Sequence, residues 1–229
     1  MTFLQVGAAV LMGTLVGLDL ASVPQAMYSR PLVAGLLGGL AVGNPIPGLT
    51  VGALLELFAM DVLPVGASRY PDWGPGAVAV GALAGAHPDG MLASGLLGLV
   101  LVAVVAAWTG GWLTHLVRRA NAASVESLRV ALEAGEMGAV RAVQRLGLLR
   151  DTVRSFALTS LTMAVGDLLS TLFAREWPGP QRIAQVALAA TSIGVALHGG
   201  VRLTGRGRQA LWFAGGLGAG AVTVTAWLR

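Results

Sequence analysis

Long apolar stretches alternate with short polar or proline-rich interruptions along this chain, and the lengths of those stretches set the first expectations. Residues 2–20 are apolar apart from Gln5 and Asp19 and lead into a polar stretch that ends at Ser29 and Arg30. Residues 31–43 form a thirteen-residue apolar run, Asn44-Pro45-Ile46-Pro47-Gly48 breaks it, and residues 49–60 resume it. At about 1.5 Å per residue, thirteen residues reach only about 20 Å, short of the roughly 30 Å hydrocarbon core of a bilayer. Prolines fix the break, so the pair reads as two half-helices. Transporters use such segments to place helix ends and unpaired backbone groups near the membrane midplane. Two short ordinary helices joined by a surface turn are the alternative.

Further along, residues 63–75 hold Pro64, Pro71, Pro75, Arg69 and Asp72, a composition that excludes a regular span. Residues 76–86 are again short and apolar, closed by the turn chemistry of His87-Pro88-Asp89-Gly90. Full-length spans are predicted over 91–116, 155–173, 183–201 and 209–228. Between the first two, residues 116–154 contain seven arginines and four acidic residues and no proline. There Val125, Leu128, Leu132, Val140 and Val143 recur at spacings that share one helical face, which predicts an amphipathic helix or arm at the solvent edge. The positive-inside tendency assigns this arm, and the turn bearing Arg202, Arg206 and Arg208, to the cytoplasm, with the C-terminus outside. The expected fold is all-α, a polytopic membrane helical bundle with re-entrant half-helix hairpins and a cytoplasmic amphipathic arm. It is one membrane domain over 1–229, divided into an N-terminal half (1–115), the arm (116–154) and C-terminal spans (155–229).

Composition sharpens the membrane reading. Hydrophobic residues make up 55% of the 229 positions and charged residues only 11%, with a mean hydropathy of +0.74, where soluble domains carry about 25% charged residues. The 33 glycines suit close helix packing in lipid, and Gly35, Gly39 and Gly43 form a small-residue ladder whose role is packing. All fifteen basic residues are arginine and sit mainly between apolar stretches, which argues against nucleic acid as a partner. Cysteine is absent, excluding disulfides and thiolate chemistry. No basic region precedes the first apolar stretch, so residues 3–18 are expected to remain in the mature protein.

Glu56 stands out because apolar residues flank it on both sides, and a carboxylate at mid-membrane costs about 2.5 to 3.5 kcal/mol to insert. Such groups usually line a cavity or pair with a partner. Asp19, Asp61, Asp72 and Asp167 lie at or near other apolar segments. Glu56, Asp72, Ser68, Gln25, Asn44 and Trp73 supply the carboxylate, amide, hydroxyl and aromatic groups that recognise sugar hydroxyls. Trp73 also fits an interfacial anchor, and Arg30 can either pair with a carboxylate or mark an interface. The three histidines have no metal-ligand spacing. Without lysine there is no phosphate-binding loop of the Gly-rich, Lys-containing kind, and no serine-nucleophile motif is present. No catalytic residue, metal or cofactor is expected.

Read in order, Arg30-Pro31-Leu32-Val33, the Gly-rich run to Gly43, Gly52-Ala53-Leu54-Leu55-Glu56-Leu57, Val65-Gly66-Ala67 and Pro71-Asp72 resemble the IIC component of mannose/fructose/sorbose-family phosphotransferase systems. The resemblance covers roughly residues 5–85. It implies a non-enzymatic permease subunit in the bacterial inner membrane, working in a hetero-oligomer with a sister IID membrane subunit and cytoplasmic IIA and IIB phosphocarrier proteins. A hexose would be bound in the membrane and delivered to IIB, which holds the phosphohistidine. The family's membrane glutamate corresponds to Glu56 and its Pro-Asp to Pro71 and Asp72. The chain departs from many relatives at Asn44 and at Pro24-Gln25, where they carry acidic residues. A sensory or regulatory membrane module, or an assembly subunit without transport, is the alternative.

Overall fold

A computed structural model describes residues 1–62, 70–87 and 90–204, with side chains described as far as residue 201. Among them the helices are α1 (Phe3–Leu18), α2 (Pro31–Ala41), α3 (Pro45–Ala59), α4 (Gly74–Gly85), α5 (Ala93–Ser127), α6 (Arg129–Glu133), α7 (Met137–Glu176) and α8 (Gln181–Thr204). The described structure is an all-helical bundle, as the apolar pattern predicts. Three helices are long and apolar enough to cross a membrane, at Ala93–Ser127, Met137–Glu176 and Gln181–Val201, whereas the four at the N-terminal end are shorter. The expected span over 209–228 and the candidate residue Ser68 lie outside the described residues.

The break between the two short helices is narrower than the proline pattern suggests. Helix α2 runs to Ala41 and α3 begins at Pro45, so only residues 42–44 lie between them. Pro45 and Pro47 fall in the first turn of α3, where backbone N–H groups have no intrahelical partner and a missing donor costs nothing. The chain reverses at Gly43, whose φ of +84° is a conformation that suits glycine. The arms then pack glycine against glycine. A Cβ at Gly35 would stand 2.6 Å from the Gly48 carbonyl oxygen and 2.7 Å from the Gly52 Cα, and one at Gly52 would stand 2.7 Å from the Pro31 carbonyl oxygen. This pairing makes α2 and α3 an antiparallel hairpin with backbones in direct contact. At about 16 and 22 Å, neither arm reaches across the hydrocarbon core.

Helix α4 forms the centre. All twelve of its residues are buried, as expected of a helix that is apolar on every side. Val78, Val80, Leu83 and Ala84 pack with Val51, Leu55 and Leu99 in the main core. The α2–α3 hairpin lies against α4 through glycine too, since a Cβ at either Gly38 or Gly81 would run into the backbone of the facing helix. Three buried threonines are satisfied within their own helices. The Thr114, Thr159 and Thr162 hydroxyls donate to carbonyl oxygens one turn earlier, at 2.9, 2.8 and 2.7 Å.

Residues 116–154 do not form one amphipathic helix. Helix α5 continues unbroken to Ser127, α6 adds one turn, Gly135 (φ +75°) reverses the chain, and α7 starts at Met137 and continues into the apolar span. The arginine-rich stretch is therefore the tip of a long α5–α7 hairpin. At about 52 and 60 Å, both helices outrun a bilayer core. Arg150 clamps the two arms together. Its Nη1 donates to the Ala120 carbonyl at 3.0 Å, to Asn121 Oδ1 at 2.9 Å and to Ser124 Oγ at 2.9 Å.

Candidate substrate site

Two charged assemblies stand side by side where α1, α2, α3 and the segment before α4 converge. Their construction begins at Asp19, which is 3% exposed and caps the end of α1. Its two carboxylate oxygens accept from the Ala26 N–H at 2.6 Å and the Ser29 N–H at 3.0 Å. These bonds hold the loop in which Gln25 and Met27 adopt φ values of 60° and 65°, a region costly for residues other than glycine. The loop thereby delivers Ser29 and Arg30 to the start of α2.

Arg30 meets Glu56 there in an ion pair between Nη2 and Oε1. The other oxygen, Oε2, accepts from the Leu32 N–H at 3.1 Å. Leu32 is the second residue of α2, so the carboxylate also sits on the positive end of that helix. Half of the Arg30 side chain (51%) and a fifth of Glu56 (20%) remain exposed, which leaves both able to bind something else. Arg30 lines a cleft of about 150 Å³ together with Leu20, Ser29, Tyr70, Pro71 and Trp73, with the end of α3 completing the wall. A cation, a hydroxyl and two aromatic rings thus border one opening, the mixture that sugar recognition uses.

The second assembly is dry. Segment 70–73 crosses α5 with the Asp72 N–H bonded to the Ala107 carbonyl at 2.8 Å. The crossing is close enough that a Cβ on Gly111 would strike the Tyr70 carbonyl. Asp72 is fully buried, and its Oδ2 pairs with Arg154 Nη1. Arg154, 5% exposed, also donates through Nε to Asp151 Oδ1 at 2.8 Å. Its Nη2 donates to the Gly17 carbonyl at 3.0 Å and to Ser155 Oγ at 3.2 Å. Asp151 Oδ2 accepts from Ser22 Oγ at 2.6 Å. One guanidinium therefore ties α1, the 70–73 segment and α7 together, using nearly all of its donor capacity.

The structure brings some of the sequence candidates together and separates others. Glu56 reaches the cleft through Arg30. Asp72 is next to it in sequence, between the lining residues Pro71 and Trp73, but its carboxylate is committed to Arg154 inside the bundle. Gln25 is exposed in the loop held by Asp19, with its amide on the Ala21 carbonyl at 3.2 Å. Asn44 lies at the opposite end of the α2–α3 hairpin, where its side chain donates to the Gly85 carbonyl at 3.2 Å. The lining residues Val62 and Tyr70 bracket Ser68 in sequence. Asp151 and Arg154 escaped sequence reasoning, although an acid and a base three residues apart at the edge of an apolar span are a pattern that can find such a pair.

Comparisons with known proteins agree with this architecture. The family described as the sorbose-specific IIC component of the phosphotransferase system matches residues 3–197. No curated protein sequence matches the chain. Among solved structures, one titled only as a membrane protein is similar at a TM-score of 0.72 and 21% identity, covering 100% of this chain and 95% of the other. A chain of the mannose transporter ManYZ, solved in complex with microcin E492, is similar at a TM-score of 0.61 and 19% identity, with the same coverages.

Proposed function

Because the chain belongs to the sorbose-specific IIC component family of phosphotransferase systems, we propose that it binds a hexose of the mannose, fructose or sorbose class in the Arg30–Trp73 cleft and carries it across the bacterial inner membrane. As a IIC component it is a membrane transport subunit rather than an enzyme. On this reading it works in a hetero-oligomer with a sister IID membrane subunit, and phosphoryl transfer takes place on cytoplasmic IIA and IIB proteins.

The half-exposed Arg30–Glu56 pair at the cleft carries the reading. Glu56 accepts sugar hydroxyls, Arg30 donates to them, and Trp73 packs against a pyranose face, while Gln25 and Ser68 are the further polar groups that the neighbouring chain offers. Asp72 is a positioning residue, holding the Tyr70–Trp73 wall through Arg154. Asn44 ties the far end of the hairpin to α4 and is not assigned to sugar.

Sidedness supports the same scheme. The cleft lies at the end of the bundle from which the α5–α7 hairpin projects, since its wall contacts Gly111 of α5 and Arg154 of α7. That hairpin exposes Arg118, Arg119, Arg129, Arg141 and Arg145. Under the positive-inside tendency this end faces the cytoplasm, so the cleft opens toward the side where a IIB protein accepts sugar.

The test is binding of radiolabelled mannose, glucose, fructose, sorbose and N-acetylglucosamine to membranes holding this chain with its co-expressed sister subunit, followed by addition of the phosphorylated IIB protein. Saturable binding of one sugar and its IIB-dependent phosphorylation are expected. An intact complex that binds none of them overturns the permease reading and favours a regulatory or assembly role.

A further inference from the structure

The loop between α1 and α2 holds a shape that its own residues disfavour. Gln25 and Met27 take φ values of 60° and 65°, where the Cβ of an L-residue crowds its own backbone. Residues 19–30 contain no glycine or asparagine to ease such a turn. Packing does not impose the shape either. Every residue of 21–28 except Ser22 is exposed, and Met27 is 74% exposed. Backbone conformations of this kind persist only where other contacts over-determine them, and they cluster at functional sites.

Those contacts converge on one carboxylate. Asp19 accepts from the Ala26 N–H, which lies between the two disfavoured residues, and from the Ser29 N–H. The Met27 carbonyl in turn accepts from the Arg30 N–H at 3.2 Å. Arg30 is the N-cap of α2, extended at φ −63° and ψ 134°, with Pro31 in the first turn behind it. The backbone from which its guanidinium reaches Glu56 therefore hangs on the turn that Asp19 closes. On the other side of the loop, Ser22 Oγ donates to Asp151 Oδ2 at 2.6 Å and so anchors the loop to the Arg154 assembly. Leu20, Ser29 and Arg30 line the cleft, whereas Gln25 and Met27 do not.

From this we infer that Asp19 is a positioning residue of the sugar cleft: its carboxylate holds the strained loop, and the loop sets where Arg30 meets the sugar. A binding group has to be held within about 0.5 Å of its productive position. Relaxation at residues 25 and 27 moves Ser29 and Arg30 together, because the bonds to Asp19 and to the Met27 carbonyl belong to one turn. The inference rests on the permease reading and adds to it a residue that acts on the sugar through Arg30.

The experiment titrates the sugars named above into the full chain in complex with its sister subunit and records the sugar-free thermal midpoint of each variant. Met27→Val places a β-branched side chain where positive φ is least tolerated, and it should weaken sugar binding about tenfold with the midpoint little changed. Asp19→Asn turns a donor toward one of the two N–H groups and should weaken binding by at least as much. Met27→Gly adopts positive φ freely, so it should leave wild-type affinity unchanged and recover most of the Asp19→Asn loss. In an Arg30→Ala background neither Met27→Val nor Asp19→Asn should weaken binding further, since changes that act through one residue do not add. The two Met27 variants decide the matter even where Asp19→Asn does not assemble. Wild-type affinity in Met27→Val or Asp19→Asn overturns the inference, as does a loss that follows the midpoint or persists in full without Arg30, and each leaves the permease reading standing. A wild-type complex that binds no sugar overturns both.

Discussion

Two Arg–carboxylate assemblies lie side by side in this molecule, and they differ in solvation rather than in chemistry. Arg154 is withdrawn from solvent with both Asp72 and Asp151, and its remaining donors go to Gly17 and Ser155. Arg30 and Glu56 keep 51% and 20% of their side chains exposed, and Arg30 borders an open cleft. A buried guanidinium that has used its donors fixes neighbouring segments, because removing one partner leaves an uncompensated charge. A half-exposed pair contributes little to stability and can exchange its partners for a ligand. Similar groups, one shell of protein apart, thus divide into a strut and a binding edge.

The largest effect should come from breaking the strut. Arg154→Met leaves two buried carboxylates without their cation, and a loss of about 3 to 5 kcal/mol is expected. A lower thermal midpoint of the detergent-purified chain and poor membrane yield are the readouts. If the variant keeps the wild-type midpoint, the triad is not what holds segment 70–73. Gly38→Leu should come next, because a side chain there collides with the α4 backbone at Val78 and Ala82 and overpacking of this kind costs about 1 to 3 kcal/mol. The same midpoint measurement reads it, and Gly7→Leu, where a Cβ meets nothing within 4 Å, is the neutral control.

The binding edge should respond in the opposite way. Arg30→Ala should weaken sugar binding by roughly tenfold, the worth of one charge-assisted bond, while the midpoint moves by less than about 1 kcal/mol equivalent. Titration of sugar into the purified complex checks it, and a midpoint loss as large as that of Arg154→Met would erase the distinction between the two regions. The smallest effect is expected for Gln25→Ala, which removes an exposed amide and should change affinity only a few-fold. No change at all would exclude Gln25 from sugar binding.

How far the sequence foretold this depended on whether the signal was local. Proline and glycine punctuation placed the α2–α3 hairpin within a few residues, because a proline acts on its own turn. Glu56 and Arg30 were each conspicuous in an apolar setting, yet their pairing needed the hairpin to close and bring positions 26 apart together. No helix ends at 116 or 154, where the composition changes. Good helix formers carry α5 straight through Leu116 to Ser127, and a helix leaving a membrane needs no cap at the point where its composition changes. Arg154 looked like one more solvent-edge arginine. Its burial depends on segment 70–73 crossing α5 at Gly111 and Ala107, a tertiary event with no mark near residue 154.

The most direct test of the division between strut and binding edge is sugar affinity measured together with thermal midpoint for Glu56→Gln in the complex with its sister subunit. Removing the charge while keeping the shape should weaken binding by roughly 10- to 100-fold, from the loss of about 1.5 to 3 kcal/mol in charge-assisted bonds, with the midpoint essentially unchanged. Wild-type affinity in the variant, or an affinity that falls only in step with stability, would contradict the assignment of this edge to substrate.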